Sequence, residues 1–207
     1  MESYPIMLNI CNKDAVVIGG GKVAYRRIMS LLKAGANVTV ISPYLNEPVK
    51  KLIDENKVHW FEKRFEADDL AFAMIVVAAT NDKKVNEQVA LLSSRHQLVN
   101  VVDNKEISNF HVPAKLTRGK LTIAVATEGA SPTLAKKIRD EIALVYDESY
   151  GDYLEFLALA REEILGKKFD DVVKNKLLEE LSNINHFKAP QKQNDFFERM
   201  NIDDDKT

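Results

Sequence analysis

A single cysteine, Cys11, rules out any intramolecular disulfide. It precedes the polar turn Asn12-Lys13-Asp14 and reads as a packed thiol rather than a nucleophile. The histidines His59, His96, His111 and His186 are scattered, without cysteine partners or short ligand spacings, so no metal site is expected. No apolar run approaches the roughly 20 residues of a membrane span. The opening MESYPIMLNI has no basic segment before a long apolar core, so no membrane contact is expected and the expected location is cytoplasmic. A strong charge of one sign is also missing: a net charge of −2 argues against a general nucleic-acid binder. Neither a nucleophile elbow nor a Walker-type loop occurs, which makes hydrolysis and ATP-driven chemistry poor fits.

What is present points to an α/β fold. Hydrophobic residues make up 45% of the 207, enough for a sizeable core. Ala15–Ile18 is a β-branched run ending in glycines, as a buried parallel strand would be. From Lys22 the apolar residues Ala24, Ile28, Leu31 and Leu32 recur at helical spacing as far as Gly35. Val38–Ile41 reads as a second strand, and Asn46 caps a helix carrying Val49, Leu52 and Ile53. Strands follow over Val58–Phe61, Met74–Ala79 and Leu98–Val102, with a helix bearing Val85, Val89 and Leu92 before the last. Such alternation implies a mostly parallel sheet with right-handed crossovers.

Past about residue 113 the rhythm changes. Leu121–Ala126 is one more strand, and Ser131-Pro132 opens a helix expected to bury Leu134, Ile138, Ile142 and Val145. Tyr153, Phe156, Leu157, Ala160 and Ile164 mark a further helix, and Val173, Leu177 and Leu181 another. The acidic end from Asn201 to Thr207 is expected to fray.

Gly19-Gly20-Gly21-Lys22-Val23-Ala24 fits G-x-G-x-x-A directly after the first strand and before an amphipathic helix, the context that makes this pattern a dinucleotide-binding signal. Gly19 permits the tight turn, Gly21 lets the backbone approach a pyrophosphate, and Ala24 allows close helix–strand packing. The helix start offers free N–H groups to phosphate. The acidic residue expected at the end of strand two is missing: the chain there reads Ile41-Ser42-Pro43-Tyr44. Ser42 suits a ribose hydroxyl and also tolerates a 2′-phosphate, while no arginine beside it clamps one. NAD is mildly favoured over NADP, and the choice stays open on these residues.

Ligands of an open parallel sheet gather beyond the carboxyl ends of its strands. That edge collects Gly19, Gly20, Gly21, Ser42, Thr80, Asn81 and Asp103. Asp103 has two readings there, a base that takes a proton while hydride leaves, or a cap on the turn Asn104-Lys105-Glu106. His111 is likewise a proton carrier or a structural residue. Residues 114–140 hold six cations (Lys115, Arg118, Lys120, Lys136, Lys137 and Arg139) against the carboxylates Glu128 and Asp140. They form an ordinary solvated face or a surface for a polyanionic substrate.

The ordered series IMLNICNKDAVVIGGGKVAYRR, VTVISP, AATND, NVVDNKEISNFHVPA and TEGASPTLAKKIRDEI closely resembles the precorrin-2 dehydrogenase and sirohydrochlorin ferrochelatase family, which includes the N-terminal part of sirohaem synthases. The likeness runs from about Tyr4 to Ile142. It implies NAD-dependent oxidation of precorrin-2, a carboxylate-rich tetrapyrrole, to sirohydrochlorin, with Asp103 linked to catalysis. It implies NAD contacts at Gly19, Gly20, Gly21, Lys22, Val23, Ser42, Pro43, Tyr44, Ala79, Thr80 and Asn81, and it gives Lys115, Arg118, Lys136 and Arg139 a polyanion to bind. It also implies an interlocked homodimer. The expected organisation is a Rossmann NAD-binding domain over 1–113, a dimerisation and substrate region over 114–146, and a helical domain with a frayed tail over 147–207. Some relatives carry serine or glycine where this chain has Ala126-Thr127-Glu128-Gly129, which alters the cleft wall. Methyl transfer is not expected. Some relatives also insert iron, an activity these residues leave open. A non-catalytic NAD or redox sensor is the alternative from another class.

Overall fold

Residues 1–112 build a parallel sheet in the computed structural model, which describes residues 3–183 and 189–204, with side chains as far as 200. The strands are β1 (Asp14–Ile18), β2 (Asn37–Ile41), β3 (His59–Phe61), β4 (Ile75–Ala78) and β5 (Leu98–Val101), in the order β3-β2-β1-β4-β5. Each lies within two residues of the strand read from the sequence. The order reverses between β1 and β4, which makes their carboxyl ends the topological switch point of a Rossmann-type sheet.

Helices α1 (Lys22–Lys33), α2 (Glu47–Asp54) and α3 (Lys83–Leu92) cover both faces. Val17, Val40 and Val77 pack with Ala24 and Ile28 of α1 and Val49 of α2. Val16, Val76 and Val101 pack with Val89 of α3 on the other face. Burial on both faces is why these strands read as continuous apolar runs instead of alternating ones. Cys11 is exposed, not packed as expected. The adjoining turn runs through Asn12 in the left-handed region at φ 57°, leaving the thiol above Gly35.

β5 is an edge strand, and the returning chain closes it with side chains. Asn109 Oδ1 accepts from the Val99 amide at 2.7 Å while its Nδ2 donates to the Gln97 carbonyl at 2.7 Å. Ser108 Oγ accepts from the Val101 amide at 2.9 Å. These bonds hold residues 108–112 beside the end of β5.

Residues 113–207 form a second unit. It begins with an antiparallel hairpin of β6 (Ala114–Arg118) and β7 (Leu121–Val125). β7 matches the expected strand. Nothing in Ala114–Arg118 reads as one, because Leu116 is its one fully buried residue and two cations flank the pattern. Gly119 turns the hairpin at φ 51°, and a Cβ there would lie 3.0 Å from Gly151 Cα. Helix α4 (Pro132–Val145) is capped by Ser131 Oγ, which accepts from the Leu134 amide at 3.1 Å.

The expected buried stripe of α4 is corrected. Ala135 is buried and Ile138 and Ile142 are half-buried, whereas Leu134 and Val145 are exposed, with Leu144 beside them at 84%. The helix lays its Ala135 side on the hairpin, so apolar residues remain on a second face.

Helices α5 (Ser149–Gly166), α6 (Asp171–Glu180) and α7 (Pro190–Asp204) share a core of Tyr153, Phe156, Ala160, Ile164, Leu181, Phe196 and Met200. The stripe read for α5 is the buried one. On α6 Leu177 packs against this core, while Val173 is exposed, contrary to expectation. α7 has no counterpart among the expected elements. It carries the chain helically to Asp204, and the end from Asp205 to Thr207 lies outside the described residues.

Candidate active site

Strand register sets the site. Ile18 pairs with both Ile41 and Ala78, and Ala78 pairs with Val101, so the strands end level. The residues that follow, Gly19, Ser42, Ala79 and Asp103 with its neighbours, therefore share one edge.

The three glycines there have different physical reasons. Gly19 sits at φ 119°, and a Cβ on it would meet the Ala79 carbonyl oxygen at 2.4 Å. A Cβ on Gly20 would meet the Tyr44 carbonyl oxygen at 2.4 Å. These two let the β1 turn pass against the ends of β4 and β2. Gly21 has neither constraint: φ is −88° and nothing lies within 4 Å of its Cβ position. The vacant volume lies at the start of α1, whose N-cap makes no side-chain bond and whose first turn carries no acid. By contrast, Asn46 and Asp82 cap α2 and α3 with their side chains. Space plus uncapped amides is what a pyrophosphate requires, so these residues fit a dinucleotide. Lys22 and Val23 are exposed on that first turn.

Ser42 is 5% exposed and its hydroxyl donates to the Tyr44 carbonyl at 2.7 Å, while its own carbonyl accepts from Trp60 Nε1 at 3.0 Å. It shapes the loop that presents Pro43 and Tyr44, both exposed. Ala79 is buried, its amide bonded to the Ile18 carbonyl at 2.8 Å, and Asn81 is exposed.

Asp103 is exposed and receives one hydrogen bond, from Asn86 Nδ2 at 3.1 Å. It does not cap the next turn: Asn104 Oδ1 does, accepting from the Glu106 amide at 3.0 Å. Asn86 itself is 1% exposed and fully engaged. Its Oδ1 accepts from the Thr80 amide at 3.1 Å and the Thr80 hydroxyl at 2.8 Å, and its Nδ2 also donates to the Thr80 carbonyl at 3.1 Å. One buried amide thus ties the end of β4 to the carboxylate after β5.

Beside Asp103 opens a cavity of about 310 Å³, lined by Arg27, Asn100, Asn104, Lys105 and His111 among others. Asn100 Nδ2 donates to the Phe110 carbonyl at 3.1 Å, whereas its buried Oδ1 has no partner among the described residues. A buried acceptor left open is costly to the free protein. His59 and His96 are exposed elsewhere, and His186 lies outside the described residues. No group of three or more His, Cys, Asp or Glu able to hold a metal occurs among the described residues.

In the second unit, Arg118 is committed to its own surroundings. Its Nε donates to the Tyr146 carbonyl at 3.1 Å, and Nη1 pairs with Glu148 at 3.0 Å. Arg139 pairs with its neighbour Asp140 at 2.6 Å. Lys115 and Lys136 are exposed.

Sequence reasoning passed over Asn86, Asn100 and Arg27. Two of them leave a trace: Asn86 is an amide on the Val89 side of a short amphipathic helix, and Asn100 is an amide inside the apolar run Leu98–Val102. Arg27, flanked by Arg26, leaves none.

Two family models match: "Putative NAD(P)-binding" over residues 6–114 and "Sirohaem biosynthesis protein central" over residues 118–143. The chain is 32% identical over 197 residues to a precorrin-2 dehydrogenase of Priestia megaterium, covering 95% of this chain and 98% of that one. A siroheme synthase of Ruthia magnifica is 36% identical over 173 residues, which span 36% of that longer protein. The solved structure of SirC, a precorrin-2 dehydrogenase, superposes with a TM-score of 0.86 at 32% identity, covering 97% of this chain and all of that one. No helix among the described residues is long and apolar enough to cross a membrane.

Proposed function

The chain belongs to the precorrin-2 dehydrogenase family, and from that premise we propose that it oxidises precorrin-2 to sirohydrochlorin in sirohaem biosynthesis, with NAD as oxidant and Asp103 as general base. NAD, when bound, supplies the hydride acceptor. The vacant volume at Gly21 and the uncapped start of α1 take the pyrophosphate, with Lys22 and Val23 beside it. The loop of Ser42, Pro43 and Tyr44 and the segment Ala79-Thr80-Asn81 line the rest of the cofactor cleft.

The observation that carries this reading is the placement of Asp103. It stands at the carboxyl edge of the sheet after β5, with one oxygen held by Asn86 and no partner for the other among the described residues. Oxidation removes one hydrogen as hydride and one as a proton. NAD, when bound, would accept the hydride, and Asp103 would take the proton on the oxygen that Asn86 does not hold. Asn86 makes this carboxylate and the Thr80 backbone move together, so the base and the cofactor loop keep their relative position. His111 lines the wall of the same cavity, which supports a part for it in passing protons to solvent.

The same proposal covers the assembly. Residues 1–113 bind NAD, 114–146 pair with a second copy, and 147–207 form a helical domain. The exposed Leu134, Leu144 and Val145 of α4 are the apolar face such a pairing would cover in a homodimer. Lys115 and Lys136 remain as exposed cations for substrate carboxylates, and Arg118 and Arg139 would take part by exchanging Glu148 and Asp140 for a carboxylate of the substrate. The cytoplasm is the proposed location.

The test is anaerobic turnover of precorrin-2 with NAD, following sirohydrochlorin and NADH absorbance together. Equal amounts of both are expected from the parent chain. Asp103→Asn should bind NAD normally and lose about 10²- to 10⁴-fold in kcat, the range of general-base catalysis. Near-parental turnover in that variant removes Asp103 from the reaction.

A further inference from the structure

The cavity beside Asp103 holds a cation that neither the fold nor the cofactor reading uses. Arg27 projects from the middle of α1 into the wall of that cavity, half-buried, and no ion pair or hydrogen bond of its guanidinium occurs among the described residues. Other arginines of the chain hold a carboxylate: Arg118 has Glu148, Arg139 has Asp140 and Arg199 has Glu180. Burial lowers the pKa of Arg27 from its ordinary value with no anion to oppose it, yet a guanidinium stays cationic throughout the physiological range. A partly desolvated cation without a counter-ion is unfavourable in the free protein, and a ligand anion relieves it.

Lys105 and His111 line the same wall, as does Asn100, whose side chain is 5% exposed. The cavity is therefore built for a polar ligand with at least one negative group. That ligand is not the cofactor pyrophosphate, whose place is at the vacant Gly21 volume on the β1–β4 crevice. The cavity instead lies at the end of β5 with Asp103, where the molecule losing its proton must sit.

We propose that Arg27 is a substrate-binding residue, its planar guanidinium taking one peripheral carboxylate of the tetrapyrrole as a bidentate pair and so fixing which edge of the macrocycle faces Asp103. This rests on the dehydrogenase reading above. A fork of two charge-assisted bonds sets position and angle together, as a lysine point charge cannot. The macrocycle carries several similar carboxylates, and capture of one in a fixed fork selects among its otherwise similar orientations.

The experiment uses the full chain with sirohydrochlorin, titrated by its absorbance, and NADH, titrated by its fluorescence. Arg27→Met should weaken sirohydrochlorin binding about 10- to 100-fold, the loss of a charge-assisted pair, with NADH affinity unchanged. Arg27→Lys should recover part of the loss. In turnover the Met variant should show its effect mainly in KM for precorrin-2. Parental sirohydrochlorin affinity in Arg27→Met overturns the inference while leaving the dehydrogenase reading intact. A joint loss of sirohydrochlorin and NADH binding also overturns it, because that marks Arg27 as structural. A parent chain that binds no sirohydrochlorin overturns the dehydrogenase reading, and this inference with it.

Discussion

Replacing Asn86 by Leu keeps the branched outline of the side chain, at a larger volume, and deletes the amide that joins Thr80 to Asp103. Four groups lose a partner: the Thr80 amide, the Thr80 hydroxyl, the Thr80 carbonyl and Asp103 Oδ1. Asp103 and the Thr80 hydroxyl sit near water and are compensated, whereas the Thr80 backbone groups around a side chain 1% exposed are not fully so. A polar group left unsatisfied by such a deletion costs about 1–3 kcal/mol, so the expected loss of stability is about 2–4 kcal/mol. For a chain of this size a loss of 1 kcal/mol lowers Tm by about 2–4 °C, which puts the fall at roughly 5–15 °C by thermal circular dichroism. Catalysis should fall further than stability explains, because Asp103 is then free to rotate. A misplacement near 1 Å costs on the order of 10²-fold, and kcat below the melting range should drop by about that factor. Asn86→Asp sharpens the test. It sets a second carboxylate against Asp103, and like charge raises the carboxyl pKa. A base works only when deprotonated, so the acid limb of the kcat profile should move to higher pH. Parental kcat in Asn86→Leu below its melting range, or an unmoved acid limb in Asn86→Asp, would refute the linkage of cofactor loop and base.

Three other outcomes follow from particular positions. Gly21→Ala places a methyl in open space at a φ of −88°, so it should fold with parental Tm and bind NAD at least tenfold more weakly by calorimetry; Gly19→Ala, at φ 119° with a carbonyl 2.4 Å from its Cβ, should instead lose Tm outright. Leu144→Glu puts a charge on the exposed face of α4 and should shift the sedimenting species from dimer to monomer, and an unchanged dimer would move the interface elsewhere. Tyr153 donates its hydroxyl to the Leu181 carbonyl inside the helical core, and burial raises its pKa above the ordinary 10.0. A raised value means the bond stabilises the fold below pH 10 and is lost as pH climbs past it, so Tyr153→Phe should cost about 1 kcal/mol at neutral pH and flatten the alkaline part of the stability curve.

Much of the nucleotide-binding half was legible because its determinants are local. A buried parallel strand must be continuously apolar, and the runs at Val16, Val40 and Val76 had to be strands flanked by amphipathic helices. The glycine turn carries its own steric meaning at Gly19, and Asp103 announces itself as a carboxylate directly after a buried run. The second unit was harder for the same reason in reverse. β6 holds its place through pairing with β7 and has little apolar pattern of its own. The apolar residues of α4 serve two faces, and no periodicity tells which one its own chain covers. α7 is polar along most of its length and is recognised by where Phe196 and Met200 end up.

By itself the sequence determined the sheet, the order of its strands' chemistry and the edge on which ligands gather, since each depends on residues a few positions apart. Only the tertiary structure decided which side chains meet at that edge. Asn86 reaches Asp103 across 17 positions, and Arg27 comes to the wall of the Asp103 cavity from a helix before β2. Such encounters depend on strand order and helix rotation, which no local pattern encodes. They also satisfy or leave open individual polar atoms, and that is known only once every neighbour is in place.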